Sequence, residues 1–301
     1  MSMGRLYDII NSARPFSWIK TVFIMLLGAY FALNSFPPLL QFLMGFVIVG
    51  PLLWGGLYIL NDYTDLKVDQ YHRDKKKRPI ANGKISKRLA LTVSLLLITT
   101  ALVLASFINI LFFLSVALMA TSQVVYTVKP FRFKERAAVG FILPSILNPV
   151  LRFYAGWFLF TNQLIVPIAM VAVVVMAKII AYLSYKYYWY HGLEKKPRDK
   201  TTILIDKNSR KIKRLIISLF IPLTSLYLLL CVNGALERKI PYIGYLPLEF
   251  ALLIPIALVG LPFYLHVLNN PNHIKSSMIR VICYSHFIFM ISVSWMLMKI
   301  L

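Results

Sequence analysis

The sequence predicts an all-α, polytopic membrane protein: nine transmembrane helices bundled into a single domain over residues 1–301. Two observations predict this class. Hydrophobic residues make up 59% of the chain and charged residues 15%, against roughly a quarter charged in a soluble domain. Apolar stretches of roughly 18–24 residues also recur along the whole chain, and each is long enough to cross a hydrocarbon core of about 30 Å. Every such stretch must be helical, because lipid offers backbone amides and carbonyls no other partner. Disorder, collagen and a disulfide scaffold are excluded by the same composition.

The first span, 17–34, follows a segment with Arg5, Asp8 and Arg14 but no small-residue cleavage site, which argues against a cleavable signal. The second, 39–60, contains Pro51. The third, 89–108, and fourth, 110–128, are parted by little more than Asn109. Pro144 and Pro149 fall in the fifth, 137–160. The sixth, 164–188, starts near Pro167 and runs into Tyr182, Tyr185, Tyr187, Tyr188, Trp189 and Tyr190. That aromatic run is either an interfacial belt or a place where Tyr182 or Tyr185 faces a carbocation. The seventh, 215–233, holds Pro222, the eighth, 246–268, holds Pro255, and the ninth is 277–300. Prolines inside spans predict kinks. Cys231 and Cys283 sit in apolar runs and read as buried, reduced thiols.

The 33 Lys and Arg residues against 11 Asp and Glu give a formal charge of +22. In a soluble chain that would point to nucleic acid. Here the cations follow topology. With the N-terminus in the cytoplasm, they crowd the loops at about 61–88, 129–137, 189–214 and 269–277. Arg238, Lys239 and Lys299 alone fall on the opposite side, together with the C-terminus, and Arg152 and Lys178 lie within spans. That asymmetry is the positive-inside pattern, and membrane lipids rather than nucleic acid are the expected partners. A charge within a span must face the bundle interior or snorkel. Arg152, near mid-span, is expected to be functional. Lys178 is either a phosphate or acceptor contact or half of a structural pair.

Four of the acids, Asp62, Asp65, Asp69 and Asp74, cluster just after the second span. If that helix continues, Asn61, Asp65 and Asp69 recur at i, i+4 and i+8 and form one stripe of oxygen donors. Carboxylates so spaced repel each other unless a cation sits among them, and an all-oxygen set suits Mg²⁺. The plainer reading is a solvated helix end paired with the cations of Lys75–Arg78. A loop, His72-Arg73-Asp74-Lys75-Lys76-Lys77-Arg78-Pro79-Ile80-Ala81-Asn82-Gly83, follows and suits a phosphate or diphosphate.

These residues resemble a known pattern. Asn61-Asp62-x-x-Asp65-x-x-x-Asp69 followed by Arg78-Pro79-Ile80-x-x-Gly83 is similar to the first aspartate-rich signature of the UbiA superfamily of intramembrane prenyltransferases. Nine spans, the segment from Tyr126 to Lys134 and the Arg152…Ala155-Gly156 element resemble that superfamily too. The resemblance implies helices around a dry central chamber and Mg²⁺-dependent transfer of a prenyl group, with diphosphate release, from an isoprenyl diphosphate to an aromatic or lipid-like acceptor. It further implies that Asn61, Asp62, Asp65 and Asp69 serve the metal. Arg78, Lys129, Arg132 and Lys134 would contact the diphosphate, and Tyr126, Arg152 and Lys178 the substrates. The second motif departs from the family's pattern: anchored on Lys200-Thr201, its two aspartate positions fall on Tyr190 and Glu194 and its glycine on Arg198. A second Mg²⁺ is then bound weakly, bound through Glu194 or Asp199, or replaced by cations such as Arg198 and Lys200. Two alternatives stand beside prenyl transfer. Asp69-x-x-His72-x-x-Lys75-x-x-Arg78-Pro79-Ile80-Ala81 also resembles the branch that moves phosphoribose from phosphoribosyl diphosphate to a polyprenyl phosphate. The degenerate second motif also leaves room for a non-catalytic lipid carrier or scaffold.

Overall fold

The computed structural model describes residues 3–71, 75–191, 209–236, 243–246 and 250. All its regular elements are helices, and six are long and apolar enough to cross a membrane: Met3–Leu33, Leu39–Asp69, Lys87–Ser106, Ile110–Thr127, Val139–Phe158 and Arg210–Ala235. The chain divides into two compact units, Met1–Leu164 and Ile165–Leu301.

The first unit begins with a short helix, α1 (Met3–Ser12), and a 3₁₀ turn (Pro15–Trp18) that feeds α2 (Ile19–Leu33). The expected second span is α3 (Leu39–Val47), a π-helical turn (Ile48–Trp54) and α4 (Gly55–Asp69) in one continuous run. The helix does carry through the acidic cluster, so Asn61, Asp65 and Asp69 share a helical register. α5 (Lys87–Ser106) starts at Ser86, whose Oγ accepts the Leu89 N–H at 3.3 Å. Asn109 separates α5 from α6 (Ile110–Thr127) sharply: its Oδ1 caps the Phe112 N–H at 2.8 Å while its Nδ2 donates to the Phe158 carbonyl at 2.6 Å. The fifth span is α7 (Ala137–Ile142), a second π-helical turn (Leu143–Leu147) and α8 (Asn148–Phe158). Both π-helical turns contain the expected proline, Pro51 and Pro144, which removes one i→i−4 bond and widens the helix locally. Pro149 lies in the same continuous run as Pro144, in the first turn of α8 just after that π-helical turn.

α2 and α8 cross with their backbones nearly touching. A Cβ on Gly28 would lie 2.1 Å from the Phe153 carbonyl oxygen, and one on Gly156 would lie 1.9 Å from that of Met25. Small residues permit this approach, which supplies the dispersion contacts that hold helices together in lipid. α4 and α5 meet in the same way at Gly56, whose carbonyl accepts from Ser94 Oγ at 2.9 Å. Below the acidic cluster, Ala13, Ile59, Leu66, Ile80, Ile85 and Ala90 form a buried apolar group.

In the second unit α9 (Ile168–His191) and α10 (Ser209–Ala235) pack around Ile180 and Ile216. The sixth span starts at Ile168, later than its expected 164, because Pro167 precedes the first helical turn. Pro222 lies inside an unbroken α10, and Cys231 is buried and free. Most of the expected eighth span, the whole ninth, Pro255 and Cys283 lie outside the described residues.

Candidate active site at the end of the second span

The last two turns of α4 present four polar side chains that divide between two clusters of cations. Asn61 and Asp65 face the loop after α6. Arg132 Nη2 donates to Asp65 Oδ1 at 2.9 Å, and its Nη1 reaches the Thr64 carbonyl at 3.3 Å. Lys134 also pairs with Asp65 Oδ1. Its ammonium lies 3.1 Å from Thr127 Oγ1 and 3.4 Å from Asn61 Oδ1. Burial pushes the Lys134 ammonium below the usual lysine range, against the upward pull of Asp65. Thr127, fully buried, donates to Asn61 Oδ1 at 2.9 Å and lies 2.9 Å from Thr64 Oγ1. That bond fixes the Asn61 amide with its oxygen toward the ammonium and its Nδ2 toward Asp65 Oδ2, 3.4 Å away.

Asp62 and Asp69, 3% and 1% exposed, lie seven residues apart, two turns along one face of α4. Arg78 Nη1 bridges them, at 3.0 Å from Asp62 Oδ1 and 2.6 Å from Asp69 Oδ2. Arg14 also pairs with Asp62, and the Lys75 ammonium lies 3.6 Å from Asp69 Oδ1. That oxygen is buried without a hydrogen-bond partner.

The Arg78–Gly83 motif owes its shape to a turn. Asn82 N–H donates to the Arg78 carbonyl at 2.9 Å, Ile85 N–H closes on the Pro79 carbonyl at 3.1 Å, and Gly83 takes φ +81°, which favours glycine. Ile80 is thereby buried beside Ile59 and Leu66, and burying a side chain of that size stabilises by about 1.5–3 kcal/mol. The apolar anchor sets Arg78 under the two aspartates. Arg14 and Arg132, the other two arginines bound to aspartates, both adopt left-handed backbone at φ 55° and 36°. Strain of that kind persists where surrounding contacts over-determine it.

Of the residues expected from the sequence, the structure brings Asn61, Asp62, Asp65, Asp69, Arg78, Arg132 and Lys134 together. Lys129 is exposed and makes no described contact with the acids. Tyr126 is half-buried in the last turn of α6, and Lys178 is half-buried on α9. Arg152, 3% exposed, lies on α8, where its Nε donates to Thr21 Oγ1 at 3.1 Å and its guanidinium stacks 3.8 Å from the Trp54 ring. Asn148, considered as a chamber residue, instead accepts from Ser122 Oγ at 2.9 Å, a helix-to-helix bond. Glu194, Arg198, Asp199 and Lys200 lie outside the described residues. Sequence reasoning missed Arg14, Thr64 and Thr127. Arg14 resembles any interfacial cation, and Thr127 was visible only as a neighbour of Tyr126.

No group of three or more His, Cys, Asp and Glu side chains gathers for a metal among the described residues. The donors do fit a hard cation of the kind that takes a few protein oxygens and completes its shell with water and phosphate. Asn61 Oδ1, Asp65 Oδ1 and Thr127 Oγ1 already surround an ammonium, and Asp69 Oδ1 has the Lys75 ammonium 3.6 Å away but no hydrogen bond. Five cations, Arg14, Lys75, Arg78, Arg132 and Lys134, meet three aspartates here, leaving positive charge for a polyanion.

The chain is similar to several known proteins. Over 97% of its length the chain resembles a solved UbiA homolog from Archaeoglobus fulgidus bound to GPP and Mg²⁺, with TM-score 0.72, 18% identity and 99% of that chain covered. It is 32% identical over 133 residues to a digeranylgeranylglyceryl phosphate synthase of Thermococcus kodakarensis, covering 44% of this chain and 47% of the relative. It is 31% identical over 99 residues to a decaprenyl-phosphate phosphoribosyltransferase of Mycobacterium tuberculosis, covering 31% and 32%. The chain spans less than half the length of these two sequence relatives. The model of the UbiA prenyltransferase family matches residues 21–284, and with that match over most of its length the chain belongs to that family.

Proposed function

We propose that this protein is a Mg²⁺-dependent membrane transferase that moves a prenyl group from an isoprenyl diphosphate to a hydrophobic or lipid-like acceptor and releases diphosphate. The observation that carries the reading is the oxygen nest around Lys134. Asn61, Asp65 and Thr127 surround a cation on one side of α4, and Arg132 stands beside them. Asn61, Asp65 and Asp69 would hold the metal, which when bound lowers the charge developing on the departing diphosphate. Arg132 and Lys134 bind the same anion and are placed before the reaction begins, so they stabilise the leaving group without reorganising. Arg78 keeps Asp62 and Asp69 in register, and Asp62 serves as the fixed counter-charge for Arg14 and Arg78 rather than as a ligand. Closely packed helices keep water from an allylic cation. Glu194, Arg198, Asp199 and Lys200 join the proposal by their match to the second motif.

The fold reading completes this proposal: nine spans in one domain around a chamber, N-terminus and charged loops cytoplasmic, C-terminus on the opposite side. Transfer of phosphoribose to a polyprenyl phosphate is the second reading, favoured by the Mycobacterium tuberculosis relative. Purified protein in detergent, given radiolabelled geranylgeranyl diphosphate or phosphoribosyl diphosphate with Mg²⁺, separates the possibilities. Diphosphate release from the prenyl donor supports the first reading and release from the sugar donor the second. Release from neither supports a carrier.

A further inference from the structure

The first helix, α1, carries an apolar stripe that the fold leaves bare. At about 100° per residue, Met3, Leu6, Tyr7 and Ile10 fall within about 100° of its circumference. All four are between 47% and 90% exposed. The adjoining side is covered instead: Ile9 and, just past the helix, Ala13 pack with Ile59, Leu66, Ile80, Ile85 and Ala90. One side of α1 is therefore held by the first unit and the next is open.

α1 is not the start of a crossing. Ala13 N–H still reaches the Ile9 carbonyl, but Arg14 then turns left-handed at φ 55°, and a 3₁₀ turn intervenes before α2. Its 10 residues span about 15 Å, half of a hydrocarbon core. The packing partners fix its depth. Ile85, Leu89 and Ala90, which share its apolar cluster, bracket the start of α5, a membrane-crossing helix that begins at Lys87. α1 thus lies level with the point where α5 enters hydrocarbon. An apolar stripe at that level meets the border between acyl chains and headgroups, where tyrosine is favoured.

Charge identifies the headgroup. Arg5 on α1, Lys84 beside it, and Lys87 and Arg88 in the first turn of α5 are all exposed. The single acid of α1, Asp8, already has the Lys84 ammonium 3.9 Å away. Cations in such excess at the membrane border complement an anionic surface. A second copy of the chain fits less well: a stable protein interface takes about 20–30 residues from each side, and this stripe offers four.

We propose that α1 is an interfacial anchor. Met3, Leu6, Tyr7 and Ile10 enter the acyl border of the leaflet, while Arg5, Lys84, Lys87 and Arg88 bind anionic lipid headgroups above it. The assignment does not depend on which donor the protein uses.

The test uses the full chain with Cys231 and Cys283 replaced by serine and one nitroxide label, at Tyr7→Cys, Ile10→Cys or Gly4→Cys. Each labelled chain is placed in nanodiscs of phosphatidylcholine, alone or mixed with an equal part of phosphatidylglycerol. Power saturation compares collisions with oxygen, which concentrates in hydrocarbon, and with a nickel chelate, which stays in water. The Tyr7→Cys and Ile10→Cys labels should favour oxygen, and the Gly4→Cys label, off the stripe, should favour nickel. Phosphatidylglycerol should raise the oxygen-to-nickel ratio at Tyr7→Cys about threefold or more, because each basic residue near an anionic surface strengthens binding about fivefold. Arg5→Gln combined with Lys87→Gln and Arg88→Gln should abolish that rise and leave the unfolding midpoint in place. A nickel-favouring Tyr7→Cys label in both lipids overturns the assignment. So does a ratio indifferent to phosphatidylglycerol, or a rise that survives the triple variant. Shielding of the Tyr7→Cys and Ile10→Cys labels from both probes overturns it in favour of a face covered by protein.

Discussion

Asp65 and Asp62 are neighbours in sequence with different work to do. Asp65 shares its carboxylate with Arg132, Lys134 and the Asn61 amide at the opening of the cluster. Asp62 is 3% exposed and locked between Arg14 and Arg78. Asp65→Asn keeps the shape and loses the charge, so diphosphate release should fall by a factor of about 100 or more, as for the loss of a main electrostatic contributor. Its unfolding midpoint in detergent should stay near wild type. Asp62→Asn should do the reverse in order of effect. It leaves Arg14 and Arg78 near an uncharged amide in a buried place, which costs about 3 kcal/mol when such a pair is broken. A lowered unfolding midpoint is the first expected readout, with any activity loss following from it. If Asp62→Asn unfolds like wild type while abolishing Mg²⁺ affinity, Asp62 is a ligand after all.

At the scale of elements, the critical contact is the α2–α8 crossing. It sets Thr21 against Arg152 and leaves no room for a Cβ at Gly28 or Gly156. In both cases the obstructing atom is backbone, so no side-chain rotation relieves the clash. Gly156→Ala should therefore destabilise by about 1–3 kcal/mol, the usual cost of overpacking, and Gly156→Leu by more. Thermal unfolding followed by detergent-resistant monomer on size exclusion is the measurement; an unchanged Gly156→Leu midpoint would show that the crossing is looser than described. The π-helical turns belong to this scale as well. Pro51 and Pro144 were legible as interruptions, but a proline in a helix can give a kink or a widened turn, and the neighbouring helices decide which.

For the whole molecule, charge asymmetry and chemistry make separate predictions. Single cysteines introduced at Lys76 and at Lys129 should be labelled by a membrane-impermeant maleimide from the same side of sealed vesicles, the side that also exposes Met1. Labelling of the two from opposite sides would break the positive-inside assignment. Chelation of Mg²⁺ should stop diphosphate release and leave the unfolding midpoint little changed, because Asp65 is already compensated by Arg132 and Lys134. A midpoint that collapses on chelation would mean that the cation holds the fold rather than serving the reaction.

The amino-acid sequence by itself determined the class, the membrane-crossing helices found among the described residues, the crowding of cations into a few loops and the aspartate signature with its arginine. Each is a matter of local composition or of spacing along a helix, and hydrocarbon forces such segments into helices whatever their neighbours. The i, i+4, i+8 spacing also implied one stripe of Asn61, Asp65 and Asp69. Only the tertiary structure divided those groups, because which cation reaches which carboxylate depends on loops distant in sequence: Arg14 from before α2, Arg78 from the turn anchored by Ile80, and Arg132 and Lys134 from beyond α6. Thr127 and the stacking of Arg152 on Trp54 were hidden for the same reason. A hydroxyl or an indole N–H has no function readable from its own position until packing brings a partner to it or withholds one.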